Sequence, residues 1–197
     1  WLVQDAAFLW KGIWCGVVGV ACCARPPCRK GDASTTMFST KAHFDPLTNI
    51  PNRILFRDRL EHALQLAKRS ELSFTLMYMD LNGFKQINDK FGHDTGDKLL
   101  QSCARRLSDC MRKSDSVARI GGDEFTLLLE KTEDTIGIAR FAEKIMSVIE
   151  EPHFIDNREV FVGCSIGIAV YPRDGSTEAE LLKVADTLMY SVKSSGK

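Results

Sequence analysis

Apolar residues recur at helical spacing in four stretches of the chain. Within each stretch they are adjacent or three to four positions apart, so they fall on one face of a helix. The residues between them are mostly polar, as in helices that cover one side of a globular core. The apolar positions are Phe56, Leu60, Ala63, Leu64 and Ala67; Leu99, Leu100, Cys103, Ala104, Leu107 and Met111; Ile138, Ala142, Ile145 and Ile149; and Leu181, Ala185, Leu188 and Val192. The pattern predicts four amphipathic helices.

Shorter apolar runs between these helices predict strands. Residues 74–79 are almost all apolar and the run stops at Asp80, as expected of a buried strand. Residues 117–120 and 125–129 flank a short segment of glycines and acids, which indicates a β-hairpin. Residues 159–171 are also predicted to be extended. Because strands and helices alternate irregularly and include a hairpin, we expect an α+β fold with helices layered on a sheet.

The first forty residues differ from the rest of the chain. The uncharged run at 12–24 is shorter than the roughly 20 residues that a membrane-spanning helix needs. Basic residues follow it, as on the cytoplasmic side of a membrane segment, and residues 25–40 resemble a linker. Three interpretations stay open: the remnant of a membrane anchor, a signal-like stretch, or flanking sequence. We predict an N-terminal segment at 1–40 and a globular domain at 41–197.

The charge balance and the cysteines narrow the class of protein. The chain has 26 basic and 26 acidic residues, so no overall positive charge favours nucleic acid binding. The spacing of the seven cysteines matches neither paired zinc ligands nor a disulfide framework. Cys103 and Cys110 lie on one predicted helix, which favours a role in packing. We therefore expect a reducing, cytoplasmic compartment.

The predicted hairpin has an unusual tip. Gly121 and Gly122 can adopt positive φ angles and leave room for a bulky ligand, and the acids Asp123 and Glu124 follow them directly. Carboxylates in this position can bind a hard cation. An exposed polar turn without a function explains the same four residues, and the tip alone does not decide between the two.

A third acid makes the functional interpretation stronger. Asp80 follows a buried apolar strand, where a carboxylate is costly unless a cation meets it. If the strand and the hairpin are neighbours, Asp80, Asp123 and Glu124 form an acidic cluster. Such a cluster is typical of two-metal phosphoryl transfer, in which Mg²⁺ ions activate the attacking oxygen and stabilise the phosphate.

Five segments together resemble the GGDEF family of diguanylate cyclases. Arg119 to Phe125 spell the family signature, and the other blocks resemble the family's opening, second and late motifs in the same order. The five blocks are 45–53, 79–97, 119–125, 165–169 and 185–190, and the resemblance covers about residues 43–197. Five blocks in register are far more specific than one four-residue turn.

The resemblance implies both a fold and a reaction. The fold is the ferredoxin-like palm of nucleotide cyclases, with a central, mostly antiparallel sheet flanked by helices. The reaction joins two GTP molecules into cyclic di-GMP and two pyrophosphates, with Mg²⁺ or Mn²⁺, across a homodimer of domains. The alternative is a catalytically inactive module that senses GTP or cyclic di-GMP and regulates a partner domain such as a phosphodiesterase.

The resemblance also implies roles for the acidic residues. By position, Asp80 and Asp123 are metal ligands, and the carbonyl oxygen of Leu81 is a third. Glu124 is either a ligand or the group that helps to deprotonate the attacking 3′-hydroxyl. Gly121 and Gly122 are expected to leave space for the substrate.

Other matched positions are expected to bind the nucleotide. Asn88 and Asp97 correspond to residues that read guanine, whose N1–H and N2–H₂ donors suit amide and carboxylate acceptors. Without the family, a turn residue and a helix N-cap are the plainer interpretations of these two. Lys193 and Lys197 match phosphate-binding positions, although helix C-terminal cations look the same. Lys85 either shares that role or is solvated.

Arg112 and Asp115 precede the hairpin at the spacing of the family's inhibitory site for its product. Arginine can contact guanine O6 and N7 together, and aspartate can accept from its donors. A polar loop after a helix is the competing interpretation. If the resemblance holds here, cyclic di-GMP is an inhibitor as well as the product.

The chain departs from the family pattern at three of the positions compared. Asn82 stands where many members have a second aspartate, Val192 replaces a more usual alanine, and Lys197 replaces a more usual arginine. None of these changes removes an expected metal ligand. The phosphate contact of Lys197 is the assignment most affected, because lysine lacks the bidentate donors of arginine.

Overall fold

The computed structural model describes residues 43–131 and 134–194. The predicted N-terminal segment and Lys197 lie outside these ranges. Within them, no helix is both long enough and apolar enough to cross a membrane. The elements in chain order are α1 (Arg53–Ser70), β1 (Phe74–Asn82), α2 (Phe84–Phe91), α3 (His93–Cys110), β2 (Ser116–Gly121), β3 (Glu124–Glu130), α4 (Thr135–Glu150), β4 (His153–Ile155), β5 (Arg158–Val160), β6 (Gly163–Tyr171) and α5 (Glu178–Ser194).

A four-stranded antiparallel sheet lies at the centre of the domain. Its strand order is β2-β3-β1-β6, while β4 and β5 pair separately as a two-stranded sheet. β1 is paired on both edges and both of its faces are buried, and the burial of both faces accounts for its nearly continuous apolar sequence. The expected α+β fold, an antiparallel sheet flanked by helices, is confirmed.

Alternate residues of β1 belong to two different cores. Met77, Met79 and Leu81 pack into a core that includes α3 and α4, while Leu76 packs into one that includes α1 and α5. Successive side chains of a strand point to opposite faces of the sheet. Asp80 therefore lies on the same face as Leu76, the face that α1 and α5 cover.

Helices α1 and α5 begin at residues whose side chains cap them. The side chain of Asn52 accepts hydrogen bonds from the backbone N–H groups of Ile54 and Leu55 at the start of α1. At the start of α5, the hydroxyl of Thr177 accepts from the N–H of Glu180, and the Glu180 carboxylate accepts from the N–H of Thr177. This reciprocal pair is a capping box, and it fixes where α5 starts.

Helix α5 packs unusually closely on β6. A Cβ atom at Gly167 would lie 1.8 Å from the carbonyl oxygen of Ala185 and 2.5 Å from the backbone nitrogen of Met189. Only glycine allows the two backbones to approach this far. The close packing brings the last turn of α5, with Lys193, to the end of the sheet where Asp80 lies.

The structure corrects three predictions of secondary structure. β1 does not stop at Asp80 but continues through Asn82, because Leu81 is buried and paired with Cys164. The extended stretch 159–171 is two strands in different sheets. α2 was not predicted, although Phe84, Ile87 and Phe91 recur at helical spacing and pack against the core. The four helices predicted from apolar spacing are confirmed as α1, α3, α4 and α5.

Candidate active site and nucleotide pocket

The two strands at the centre of the sheet bring together two acids that are far apart in sequence. Asp80 on β1 lies directly opposite Glu124, the first residue of β3, and opposite Ser165 on β6. Directly paired residues of an antiparallel sheet project to the same face. The backbone N–H of Leu81 donates to the carbonyl oxygen of Asp123 at 3.3 Å, which joins the hairpin to β1.

Asp80 is a buried carboxylate that meets a cation from another element. Its side chain is 9% exposed, and Lys193 Nζ donates to its Oδ1 atom at 2.6 Å. This hydrogen bond raises the pKa of Lys193, and the charges of Asp80, Asp123 and Glu124 add to the effect. The Lys193 ammonium therefore stays charged and lies among the acids of the hairpin.

The surroundings of Asp123 disfavour a negative charge on its side chain. Burial raises the pKa of its carboxyl group, and the neighbouring charge of Asp80 raises it further. In the described ranges, however, no three His, Cys, Asp or Glu side chains are grouped closely enough to hold a metal ion. Asp80 contacts Lys193 and Glu124 contacts Tyr78, and the convergence of the three carboxylates on a metal ion stays a prediction.

The carboxylate of Glu124 is held by a tyrosine from the neighbouring strand. The hydroxyl of Tyr78 donates to Glu124 Oε2 at 3.1 Å, and Tyr78 lies two residues before Asp80, on the same face of β1. Burial and the Glu124 charge raise the pKa of Tyr78, so its hydroxyl keeps the proton that it donates. Both residues line an open cleft of about 680 Å³ between α1 and α5.

An arginine fixes the hairpin tip to the segment before α1. Arg119 donates through Nε and Nη2 to the carbonyl oxygen of Gly122, at 3.0 and 2.8 Å. Its Nη1 atom donates to both oxygens of Asp45, and Asp45 Oδ2 also accepts from the backbone N–H and the hydroxyl of Thr48. Gly122 has a φ of +52°, and the strand register shifts between Arg119 and Gly121. The arginine therefore stabilises an irregular turn.

The pKa of Asp45 reflects this arrangement. Burial alone would raise it, but the hydrogen bonds from Thr48 and Arg119 outweigh burial, and the pKa lies below its usual value. Asp45 stays ionised at neutral pH and keeps its ion pair with Arg119.

The predicted guanine-reading residues lie on two consecutive helices. Asn88 is in α2 and is therefore not a turn residue. Asp97 is within α3 and is therefore not its N-cap. The side chain of Asn88 lies against Gly96, the residue before Asp97. Its Oδ1 atom is buried without a hydrogen-bond partner among the described residues. Lys85, also in α2, is exposed.

Arg112 and Asp115 lie in the loop between α3 and β2, at a cavity of about 290 Å³. Lys131 and Phe141 also line this cavity. The carboxylate of Asp115 accepts from the backbone nitrogens of Arg112 and Glu130, at 3.2 and 3.3 Å. Asp115 thus stabilises its own loop and connects that loop to β3.

Two residues and one ion pair that shape these sites were not anticipated in the sequence analysis. Tyr78 could have been noticed, because it is a polar aromatic residue at an even spacing from Asp80 in an otherwise apolar run. Gly96 could have been noticed as a glycine inside a helix. The ion pair of Arg119 with Asp45 gives no local signal, since the two residues are distant in sequence.

Comparison with known families agrees with this arrangement. Residues 42–197 match the family described as "Diguanylate cyclase, GGDEF domain". This range contains every described element of the fold. It also contains the acids, the hairpin and the two helices of the candidate site.

Individual relatives match over the same region. The chain is 47% identical over 153 residues to the bifunctional diguanylate cyclase/cyclic di-GMP phosphodiesterase MucR of Pseudomonas aeruginosa, covering 78% of this chain and 22% of MucR. It is 40% identical over 154 residues to diguanylate cyclase TpbB of the same species, covering 78% of this chain and 35% of TpbB. The chain therefore spans only a minor part of the length of these relatives.

A solved structure shows the same fold. It is a truncated form of TpbB from Pseudomonas aeruginosa that comprises only the GGDEF domain. It superposes with a TM-score of 0.75 at 39% identity, covering 78% of this chain and 90% of that one. The similarity is thus to an isolated domain of the same architecture.

Proposed function

Because the chain belongs to the GGDEF diguanylate cyclase family, we propose that it condenses two GTP molecules into cyclic di-GMP and two pyrophosphates. In each half-reaction the 3′-oxygen of one GTP attacks the α-phosphorus of the other. A new phosphorus–oxygen bond forms, the bond to the β-phosphate breaks, and pyrophosphate leaves. The site must therefore accept a proton, counter the phosphate charge and orient the base.

The placement of two acids on neighbouring strands is the main support for this proposal. Asp80 and Glu124 are direct cross-strand partners on one face of the sheet, next to a hairpin that contains Asp123. Three acids in one region are costly unless a cationic ligand or substrate complex compensates them. Burial and then the charge of Asp80 raise the pKa of Asp123, and the nearby charges of Lys193 and Arg119 do not cancel that rise.

The donor chemistry fits a divalent metal ion. Carboxylate and carbonyl oxygens are the ligands that Mg²⁺ and Mn²⁺ prefer, and Asp80, Asp123 and the carbonyl of Leu81 would supply them. When bound, the ion would neutralise phosphate charge and lower the pKa of the attacking hydroxyl. Glu124 would serve as a further ligand or take the proton of the 3′-hydroxyl.

The remaining residues would bind and orient the nucleotide. Lys193 already contacts Asp80 and would bind the triphosphate beside it. Lys197 and Lys85 are the other proposed phosphate contacts. Asn88 would contact the guanine base through its carboxamide, and Asp97 would accept from the guanine donors.

Catalysis would need two copies of the domain. A single site of this kind holds one GTP, yet each product bond joins two. Two domains would therefore meet face to face about a twofold axis, with the hairpins and their Gly121-Gly122 turns at the meeting surface. The working unit would be a homodimer. We place it in the cytoplasm, with residues 1–40 as the candidate attachment to a membrane.

The cavity beside Arg112 and Asp115 is the candidate product site. It lies in the loop after α3, separate from the sheet face that carries Asp80. The Arg112 side chain is exposed and offers planar donors for a guanine base. Cyclic di-GMP bound there would oppose the encounter of two domains and inhibit the enzyme.

A second function competes with catalysis. The matched segment is 22% of the length of MucR, whose name includes a phosphodiesterase activity. A GGDEF domain in such a protein could bind GTP or cyclic di-GMP without turnover and regulate a neighbouring domain. The presence of Asp80, Asp123 and Glu124 favours the enzyme, since binding alone does not require all three acids.

Charge-neutral variants separate the two functions. Asp80→Asn or Glu124→Gln should reduce turnover of GTP at least a hundredfold, because an amide is a poor ligand and no base. The control is Asp109→Asn, which changes an exposed acid on α3. Near-normal product formation by either site variant would refute the assignment, provided that circular dichroism shows a native fold.

A further inference from the structure

Gly96 occupies a position where glycine is normally unfavourable. It lies within α3, is buried, and does not have the positive φ that would require glycine. A Cβ atom built there would lie 1.8 Å from Asn88 Oδ1 and 2.9 Å from Asn88 Cγ. The absent side chain of Gly96 therefore makes room for the carboxamide of Asn88.

The atom that fills this space has no partner among the described residues. Asn88 Oδ1 is buried and accepts no hydrogen bond there. A buried amide oxygen without a donor is unfavourable, and such groups are usually explained by a function. The carboxamide is thus held against α3, with its oxygen in the space that Gly96 leaves open.

We propose that Gly96 is a specificity-determining position, which keeps the Asn88 carboxamide in the place where it reads the guanine base. This inference rests on the proposed function, because it takes Asn88 as a base contact. Gly96 itself does not touch the nucleotide and acts only through Asn88.

A Gly96→Ala variant should lose recognition of the guanine base without losing the stability of the fold. The added methyl group meets the end of a rotatable side chain, so the carboxamide turns away and the backbone stays in place. Alanine is also the better helix former. The fold should therefore tolerate Gly96→Ala, while the contact with guanine is lost.

The experiment measures binding without turnover. The full chain is titrated calorimetrically with 3′-deoxy-GTP and with 3′-deoxy-ATP in the presence of Mg²⁺, since neither analogue has the attacking hydroxyl. Gly96→Ala should weaken binding of 3′-deoxy-GTP about tenfold and reduce its preference over 3′-deoxy-ATP by a similar factor. The melting temperature should not fall.

Two comparisons test whether the effect passes through Asn88. In an Asn88→Ala background, adding Gly96→Ala should change binding less than about twofold, because the displaced group is already absent. The control is Arg105→Ala, which truncates an exposed side chain elsewhere on α3. That variant leaves the contact between Gly96 and Asn88 intact and should keep the guanine preference.

The results that would overturn the inference are distinct. Unchanged preference in Gly96→Ala, or an equal further loss in the Asn88→Ala background, shows that Gly96 does not act through Asn88. A melting temperature that falls along with affinity for both analogues shows a structural role instead. Wild-type protein without preference for 3′-deoxy-GTP refutes the proposed base recognition itself, and the inference with it.

Discussion

The ion pair between Arg119 and Asp45 should hold the hairpin in its functional shape, and Asp45→Asn tests this. The two side chains are 12% and 17% exposed, so the pair is largely removed from water. The amide retains the shape of the carboxylate but leaves the Arg119 guanidinium without a countercharge. Gly122 would then be held by an arginine that is itself poorly fixed.

The expected cost follows from the degree of burial. Exposed pairs contribute about 0–1 kcal/mol, whereas breaking a buried pair costs about 3–5 kcal/mol. For a pair that is mostly but not fully buried, we expect a loss of about 2 kcal/mol. In a domain of this size, such a loss lowers the melting temperature by about 4–8 °C.

The dependence on pH gives an independent check. The pKa of Asp45 is lowered in the folded state, so its contribution to stability is present above the unfolded value of 3.8 and is lost as pH falls through the folded value. Wild type and Asp45→Asn should therefore converge in stability below about pH 4 and differ most at neutral pH.

Thermal denaturation and hydrogen exchange provide the assay. Asp45→Asn should melt earlier and exchange faster at the amides of residues 119–124 than the control Asp58→Asn, an exposed change on α1. Equal melting temperatures and equal exchange in the two variants would refute the reasoning. A loss of stability without faster exchange in the hairpin would show that the pair supports the fold but not the turn.

Four further predictions concern the Glu124 contact, a buried histidine, the candidate product site and the dimer. Tyr78→Phe should lower turnover about tenfold with the KM for GTP nearly unchanged, because one hydrogen bond to Glu124 is lost. The control Tyr171→Phe should leave turnover unchanged, and equal effects of the two variants would contradict the prediction. His153 is fully buried, and burial lowers its pKa. The melting temperature should therefore fall as the pH drops below the usual histidine pKa of 6.5. A melting temperature that stays constant from about pH 7.5 to about 5.5 would contradict this prediction. Arg112→Ala should keep the initial rate and lose inhibition by added cyclic di-GMP, whereas inhibition equal to that of wild type would assign Arg112 to a solvated loop. The initial rate should rise more steeply than linearly with enzyme concentration, and strict proportionality with a monomer under turnover would exclude the dimer mechanism.

The fold was predictable where burial imposes a period on the sequence. The apolar run of β1 identified a central strand, and the spacing of Phe56 and Leu60 identified α1. The helix α2 was missed because it is only eight residues long, although Phe84, Ile87 and Phe91 have helical spacing. The pattern also failed at residues 159–171, where an extended backbone continues from one sheet into another.

The candidate site was predictable in its residues but not in its contacts. Asp80 and Glu124 were expected to be neighbours if strand and hairpin paired, and the register shows that they are. The partners of their carboxylates depend on how α5 packs on β6 and on a tyrosine inside β1. Such contacts arise only once the chain has folded, and no local pattern encodes them.

The most direct test of the central claim is the product made from GTP. The full chain is incubated with GTP and Mg²⁺, and the nucleotides are separated by chromatography and identified by mass. A diguanylate cyclase would give one cyclic di-GMP for every two GTP consumed, with two pyrophosphates released and no corresponding product from ATP. GTP that binds with high affinity and is recovered unchanged would contradict the proposed activity and would identify a sensing domain instead of an enzyme.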